Sequence, residues 1–87
     1  MNKKITAGTF LKPLGAKYIK GDYSRNHGMH SVYDLNGTEI LAAYDHFCGD
    51  VFFELWNSKT DFHKFLRYEN AAKRVTEITE ELTEILS

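Results

Sequence analysis

The sequence predicts an α+β fold, in which a small antiparallel sheet, a meander over residues 30–56, packs against helices. Asn36-Gly37 and Cys48-Gly49 each separate two runs of alternating apolar and polar residues. Asn-Gly favours a type I′ hairpin turn because both central residues of that turn need a positive φ. From Ser58 to Leu86 apolar residues recur at helical spacing. We therefore expect a single domain over residues 1–87, with a short N-terminal helix and one long or broken C-terminal helix.

The N-terminal third is predicted to hold a short helix and then a short strand. Phe10, Leu11 and Leu14 are apolar residues at helical spacing. Thr6 or Thr9 is suited to the N-cap of the helix, and Gly15 is suited to its end. Pro13 limits its length, since proline is tolerated only in a first turn. A strand is predicted over Ala16–Lys20. Residues 21–28 lack apolar periodicity and predict a loop.

Two-residue turns at both hairpin signals give the predicted register of the meander. The first turn pairs Tyr33 with Ile40, and the second pairs Tyr44 with Phe53. Since side chains alternate between the two faces of a sheet, one face is an apolar core face: Tyr33, Leu35, Ile40, Ala42, Tyr44, Val51, Phe53 and Leu55. The other face mixes apolar residues with acids: His30, Val32, Asp34, Glu39, Leu41, Ala43, Asp45, Phe52, Glu54 and Trp56.

The C-terminal third is predicted to be helical, with Ser58 as N-cap. Its apolar residues form two stripes, one at Phe62, Phe65 and Leu66 and one from Tyr68 onward, which lie roughly 150° apart around the axis. A straight helix cannot press both stripes onto one sheet. We expect either a break at Glu69-Asn70, with Asn70 as the next cap, or a second half that packs on another chain. Four residues have the 3-4-3 spacing of a helix interface, which predicts a homodimer contact through residues 71–86: Val75, Ile78, Leu82 and Ile85.

Charge is segregated along the chain although the formal net charge is only −1. Residues 1–25 carry six Lys or Arg and one acid, whereas residues 26–57 carry five acids and no Lys or Arg. The predicted sheet is therefore acidic and favours a partner with a basic surface. The lone cysteine, Cys48, excludes an internal disulfide. No secretory signal or membrane-length apolar run is predicted, so we expect a cytoplasmic protein without a membrane partner.

Several residues have side chains of the kind that binds metal ions, namely His27, His30, His46, Cys48 and Asp50. A zinc site needs three or four converging ligands. The predicted register puts His30 and His46 on opposite faces, and the spacing matches no closed zinc pattern. The sequence therefore predicts neither a metal nor a cofactor.

One candidate catalytic pair is His30 and Asp45, diagonal neighbours on the mixed face, because a carboxylate can orient a histidine that acts as a base. The run Phe10–Gly37 contains Gly28-Met29-His30-Ser31-Val32-Tyr33 and then the turn Asn36-Gly37. It resembles HicA-type mRNA-cleaving toxins, which place a functional histidine in a Gly-Ser-His stretch that opens a strand. This sequence has Met29 where those toxins have serine. The resemblance covers roughly a third of the chain and implies RNA binding or cleavage with His30.

Nucleic-acid binding would require basic groups on one connected surface. The lysines and arginines form two scattered sets, which are Lys12, Lys17, Lys20 and Arg25, and Lys59, Lys64, Arg67, Lys73 and Arg74. Since the sequence pI is about 6.4, we expect nucleic acid less than protein as a partner.

The mixed sheet face provides the favoured interpretation. If both helices cover the Tyr33 face, an apolar stripe rimmed by acids stays exposed, and such patches mark interaction sites in which tryptophan is favoured. We expect a small non-enzymatic protein-binding module, a regulator or inhibitor of the kind that phages and other mobile elements encode, docking on a host protein. The predicted contact residues are Val32, Asp34, Glu39, Leu41, Asp45, Phe52, Glu54 and Trp56. The competing expectation is that the N-terminal helix buries this face.

Overall fold

The computed structural model describes residues 5–24 and 28–87 and has the expected α+β fold, with a larger sheet than expected. Within that part of the chain, five antiparallel strands neighbour one another in chain order. They are β1 (Lys17–Ser24), β2 (Gly28–Leu35), β3 (Thr38–Tyr44), β4 (Val51–Asn57) and β5 (Phe62–Tyr68). Helix α1 (Ala7–Leu11) precedes the sheet and α2 (Val75–Leu86) comes after it, with 3₁₀ turns at Lys12–Leu14 and Ala71–Lys73. Arg25 and His27, assigned roles from the sequence, lie outside the described residues.

The predicted N-terminal helix is confirmed, together with its cap and its end. Thr6 is the N-cap, and its N–H donates to Thr9 Oγ1 at 3.1 Å. Gly15 ends the segment at a φ of 82°, where a side chain would be strained. The next strand is longer than the predicted Ala16–Lys20, because β1 continues through part of the expected loop.

The first hairpin has the predicted register. Leu35 pairs with Thr38 and Tyr33 with Ile40. Asn36 and Gly37 both have positive φ, of 52° and 91°, as a type I′ turn requires. The local sequence was therefore sufficient to place β2 and β3.

The predicted two-residue turn at Cys48-Gly49 is wrong, because β3 and β4 are joined by a longer loop. Asp45 starts this loop: its Oδ1 accepts hydrogen bonds from the N–H groups of Phe47 at 2.8 Å and Cys48 at 3.3 Å. As a result Tyr44 pairs with Val51 rather than with Phe53. The register differs by two residues, and a shift of two keeps every side chain on its predicted face.

The predicted helix over residues 58–68 is also wrong, since this stretch forms a hairpin loop and strand β5. Asn57 Oδ1 accepts the N–H groups of Lys59 and Thr60, at 3.0 and 3.3 Å. Asp61 then has a φ of 56°, which interrupts a helix. Phe65 therefore lies on the opposite face of the sheet from its neighbours in the supposed helical stripe.

An element ends at Glu69-Asn70 as expected, but it is strand β5 and not the first half of a helix, so the predicted break within a helix is wrong in kind. Asn70 has a φ of 51° and stands at the N-cap position of a 3₁₀ turn, without a side-chain capping hydrogen bond. Helix α2 begins five residues later, at Val75. None of the helices in residues 5–24 and 28–87 is long and apolar enough to cross a bilayer.

Both helices pack on the predicted core face, so the expectation that the N-terminal helix buries the mixed face is wrong. The ring of Phe10 in α1 lies edge-on to Phe53 in β4, with centroids 6.0 Å apart. Ile78 and Leu82 of α2 are fully buried in the same core. Val75 and Ile85 are partly buried against it. The four predicted interface residues of α2 thus face the chain's own sheet, and a homodimer through residues 71–86 stays a prediction for a mass measurement in solution.

Candidate interaction face on the sheet

The face of the sheet opposite the helices, here called the open face, has three rows of side chains across the five strands. The strand register defines them. The first row is Asp22, His30, Ala43, Phe52 and Arg67; the second is Lys20, Val32, Leu41, Glu54 and Phe65; the third is Lys17, Asp34, Glu39, Trp56 and His63.

An apolar stripe crosses the open face from β3 to β5. Trp56 is 45% exposed and Phe65 is 51% exposed, whereas Leu41 and Phe52 are half-buried. The rings of Phe52 and Phe65 are tilted neighbours, with centroids 6.3 Å apart. Phe65 was missed as a face residue because its stretch was assigned to a helix. The aromatic-rich run from Phe62 to Tyr68, with Phe62, Leu66 and Tyr68 an even number of residues apart, is the signal that could have found it.

Three acidic groups of the open face lie on its central strands, and a fourth, Asp22, lies on β1. Glu39 is exposed and Asp34 is half-buried. The Glu54 carboxylate is partly exposed and accepts a hydrogen bond from His63 Nε2 at 2.7 Å. The ring of His63 also lies edge-on to Trp56, with centroids 5.4 Å apart. The acids are therefore close to the exposed tryptophan.

Basic groups lie on the outer strands of the same face. Lys17 and Lys20 are on β1, and Arg67 is on β5. Sequence reasoning described an acidic face without these cations, since it did not place either outer strand in the sheet. The open face has an acidic centre, and its margins carry cations, of which Lys20 is paired with Asp22 and Arg67 with Asp50.

An ion pair between the exposed Arg67 side chain and the buried Asp50 carboxylate lies at one end of the open face. Arg67 donates through Nε at 3.0 Å and Nη2 at 2.6 Å to the same oxygen of Asp50, a residue that is buried. These hydrogen bonds raise the pKa of Arg67 above its ordinary value. The guanidinium lies 5.6 Å from the centroid of the Phe52 ring. The pair thus holds the start of β4 against β5 and positions one member of the apolar stripe.

Two of the residues predicted to contact a partner are poorly placed for that role. Val32 is on the open face but only 5% exposed. Asp45 lies in the β3–β4 loop, where hydrogen bonds from the Cys48 side chain and the Phe47 N–H hold its pKa below the ordinary value. The structure brings the other six together on the open face, and they are Asp34, Glu39, Leu41, Phe52, Glu54 and Trp56.

His30, the candidate functional histidine, is buried on the open face at 8% exposure. Its Nδ1 donates to the carbonyl of Gly28 at 3.2 Å. The carboxylate opposite it in the strand register is Asp22, whereas Asp45 directs its carboxylate to loop amides. The predicted His30–Asp45 arrangement is replaced by an Asp22–His30 cross-strand pair, and little of the imidazole surface is accessible to a substrate.

Metal-ligating side chains do not cluster in the described part of the chain. Within residues 5–24 and 28–87, no group of three or more His, Cys, Asp or Glu side chains is arranged to hold a metal ion. Cys48 is exposed at the β3–β4 loop. His27 lies outside these ranges.

No protein-family model, curated protein or solved structure matches the chain. The resemblance to HicA-type toxins therefore depends on the short motif around His30. What the protein binds has to be argued from the open face itself.

Proposed function

We propose that this chain is a small non-enzymatic protein-binding module that docks on a partner protein through its open face. One observation carries the proposal: Trp56 and Phe65 are about half exposed on a sheet face that both helices leave uncovered. Apolar groups surrounded by polar ones mark interaction sites, and tryptophan is enriched among the residues that dominate binding energy. The role we propose is that of a regulator or inhibitor of a host protein, of the kind that mobile elements encode.

Charge on the open face defines the chemistry of the partner. Asp34 and Glu39 lie beside the apolar stripe on the central strands, so the partner should present apolar groups together with basic ones. Lys17, Lys20 and Arg67 lie at the margins, where Lys20 is already paired with Asp22 and Arg67 with Asp50, and they help to fix the orientation of the partner. Such charges mainly speed association and make it sensitive to salt.

Affinity capture from host lysate, with and without nuclease, tests the proposal. The bait is the tagged protein, and the face variant carries Trp56→Ala with Leu41→Ala. Phe47→Ala is a matched control, because Phe47 is fully exposed on the β3–β4 loop, outside the open face. We expect one defined protein in both arms, lost with the face variant and retained with the control. Capture of nucleic acid alone, or of a protein that the face variant retains, would contradict the proposal.

A further inference from the structure

A second group of exposed apolar side chains lies on the hairpin formed by β1 and β2. Tyr18, Ile19, Tyr23 and Met29 are each more than half exposed. Tyr18 pairs with Tyr33, and Tyr23 pairs with Met29. These pairs point to the helix side of the sheet, away from the open face. The group is therefore distinct from the apolar stripe around Trp56.

Strand β1 is an edge of the sheet in the part of the chain that the structure describes. An edge strand presents unpaired N–H and C=O groups and can pair with another chain. Its register with β2 shifts between Tyr18 and Lys20, which makes Ile19 the extra residue of a bulge. From Lys20 to Ser24 the pairing is regular, so the outer edge of this stretch has ordinary strand geometry.

The sequence of β1 is complementary to itself in one antiparallel register. With Gly21 on a two-fold axis, Lys20 lies opposite Asp22 of a second copy, and the bulge residue Ile19 comes next to its Tyr23. A slide of two residues in either direction places Lys20 opposite Lys20 or Asp22 opposite Asp22, and directly opposed like charges are destabilising. A slide of one residue opposes open-face to helix-side positions. Repulsion between like charges excludes the shifts of two residues, and the mismatch of faces excludes the shifts of one, so a single antiparallel register is left.

We propose that two copies of this chain associate through β1, joining their sheets into one ten-stranded sheet. Two Lys20–Asp22 ion pairs would form across the axis on the open-face side, and Ile19 and Tyr23 would make contacts on the helix side. Within one chain Lys20 Nζ lies 3.5 Å from Asp22 Oδ2, and both side chains are at least half exposed. Asp22 Oδ1 also accepts the N–H of Tyr23 at 2.8 Å. Neither contact involves the core, so the ion pairs can exchange between copies without unpacking it.

This dimer does not use the apolar stripe that carries the proposed function, although it engages Lys20 at the margin of the open face. The β1 edge lies at the opposite side of the sheet from the strands that carry Trp56 and Phe65, so the apolar stripe stays accessible in both copies. It also differs from a dimer through α2, because α2 would have to leave its own core to offer Ile78 and Leu82.

Light scattering after gel filtration, over a range from about 1 μM to about 1 mM, tests the association. We expect the mass to rise from the 10.1 kDa of one chain toward twice that value. Lys20→Asp and Asp22→Lys each turn two attractive pairs into two repulsive ones, and each should weaken association about tenfold. Mixing the two variants restores opposite charges in both pairs, so a heterodimer should form.

Lys64→Asp is the control, since Lys64 is an exposed residue of β5 at the other edge of the sheet, and it should leave the dimer unchanged. Circular dichroism checks that each variant is folded. A monomer throughout the concentration range would overturn the proposal. So would a dimer that both single charge reversals leave intact, or a mixture of the two variants that stays monomeric.

Discussion

Tyr68 gives a prediction whose size can be worked out from its surroundings. The residue is 7% exposed in the core, and its hydroxyl makes no hydrogen bond of good geometry within the described residues, although the Glu81 carboxylate is close enough to act on it. Burial, and then the charge of Glu81, raises the pKa of Tyr68 from 10.0 to about 12. Because a buried polar group without a partner destabilises the folded state, Tyr68→Phe should raise the free energy of unfolding by about 1 kcal/mol at pH 7.

The raised pKa of Tyr68 makes the free energy of unfolding depend on pH, with a definite sign. Between pH 10 and pH 12 the unfolded chain loses the Tyr68 proton while the folded chain keeps it, so the free energy of unfolding falls as pH rises. Two pKa units correspond to a total loss of about 3 kcal/mol, of which about half is reached at pH 11. Tyr68→Phe removes this loss, and its stability advantage should widen in this range.

Urea unfolding at pH 7, 9 and 11 provides the measurement, with Tyr23→Phe as control because Tyr23 is exposed. We expect the difference between Tyr68→Phe and the unsubstituted chain to be about 1 kcal/mol at pH 7 and to grow by about 1 kcal/mol at pH 11. A lower stability of Tyr68→Phe at pH 7 would show that the hydroxyl makes a favourable hydrogen bond. A difference independent of pH would refute the argument from burial.

Two further predictions concern the Arg67–Asp50 ion pair and His30. Arg67→Met leaves the buried Asp50 carboxylate without its partner and should lower the free energy of unfolding by about 1–3 kcal/mol. Adding Asp50→Asn should recover part of this loss. Unchanged stability of Arg67→Met in urea would contradict the role of the pair. Purified protein should leave single-stranded RNA intact, because His30 is buried and bonded to its own strand. RNA cleavage that His30→Ala abolishes would instead favour the toxin-like function.

Local chemistry made the centre of the fold predictable. Asn36-Gly37 dictates its turn through backbone conformation alone, so two residues are enough to set the pairing of β2 with β3. The residues of β4 lie on their predicted faces even though the predicted turn at Cys48-Gly49 is wrong. The reason is that the loop organised by Asp45 shifts the register by an even number of residues. Seven of the eight predicted contact residues accordingly share the open face, and six of these, all except Val32, are partly or fully exposed.

The errors have a common physical cause, which is that short aromatic stretches fit two periodicities. Phe62, Phe65 and Leu66 have helical spacing, but Phe62, Leu66 and Tyr68 also fall on one face of a strand, with Lys64 between them. The strand is favoured over the helix by Asn57, whose Oδ1 accepts hydrogen bonds from two backbone N–H groups of the loop, and by Asp61, which has a positive φ. Without β5 in the sheet, sequence reasoning could find neither Phe65 nor the basic margin at Arg67.

The most direct test of docking through the open face uses Trp56, the single tryptophan of the chain. Protein labelled with 5-fluorotryptophan gives one ¹⁹F resonance, whose solvent-isotope shift reports how far the indole ring is exposed to water. The free protein should show a clear shift, since Trp56 is 45% exposed. On saturation with the captured partner, docking through the open face predicts a displaced resonance that has lost this shift. An unchanged resonance in the saturated complex would show that the partner binds elsewhere.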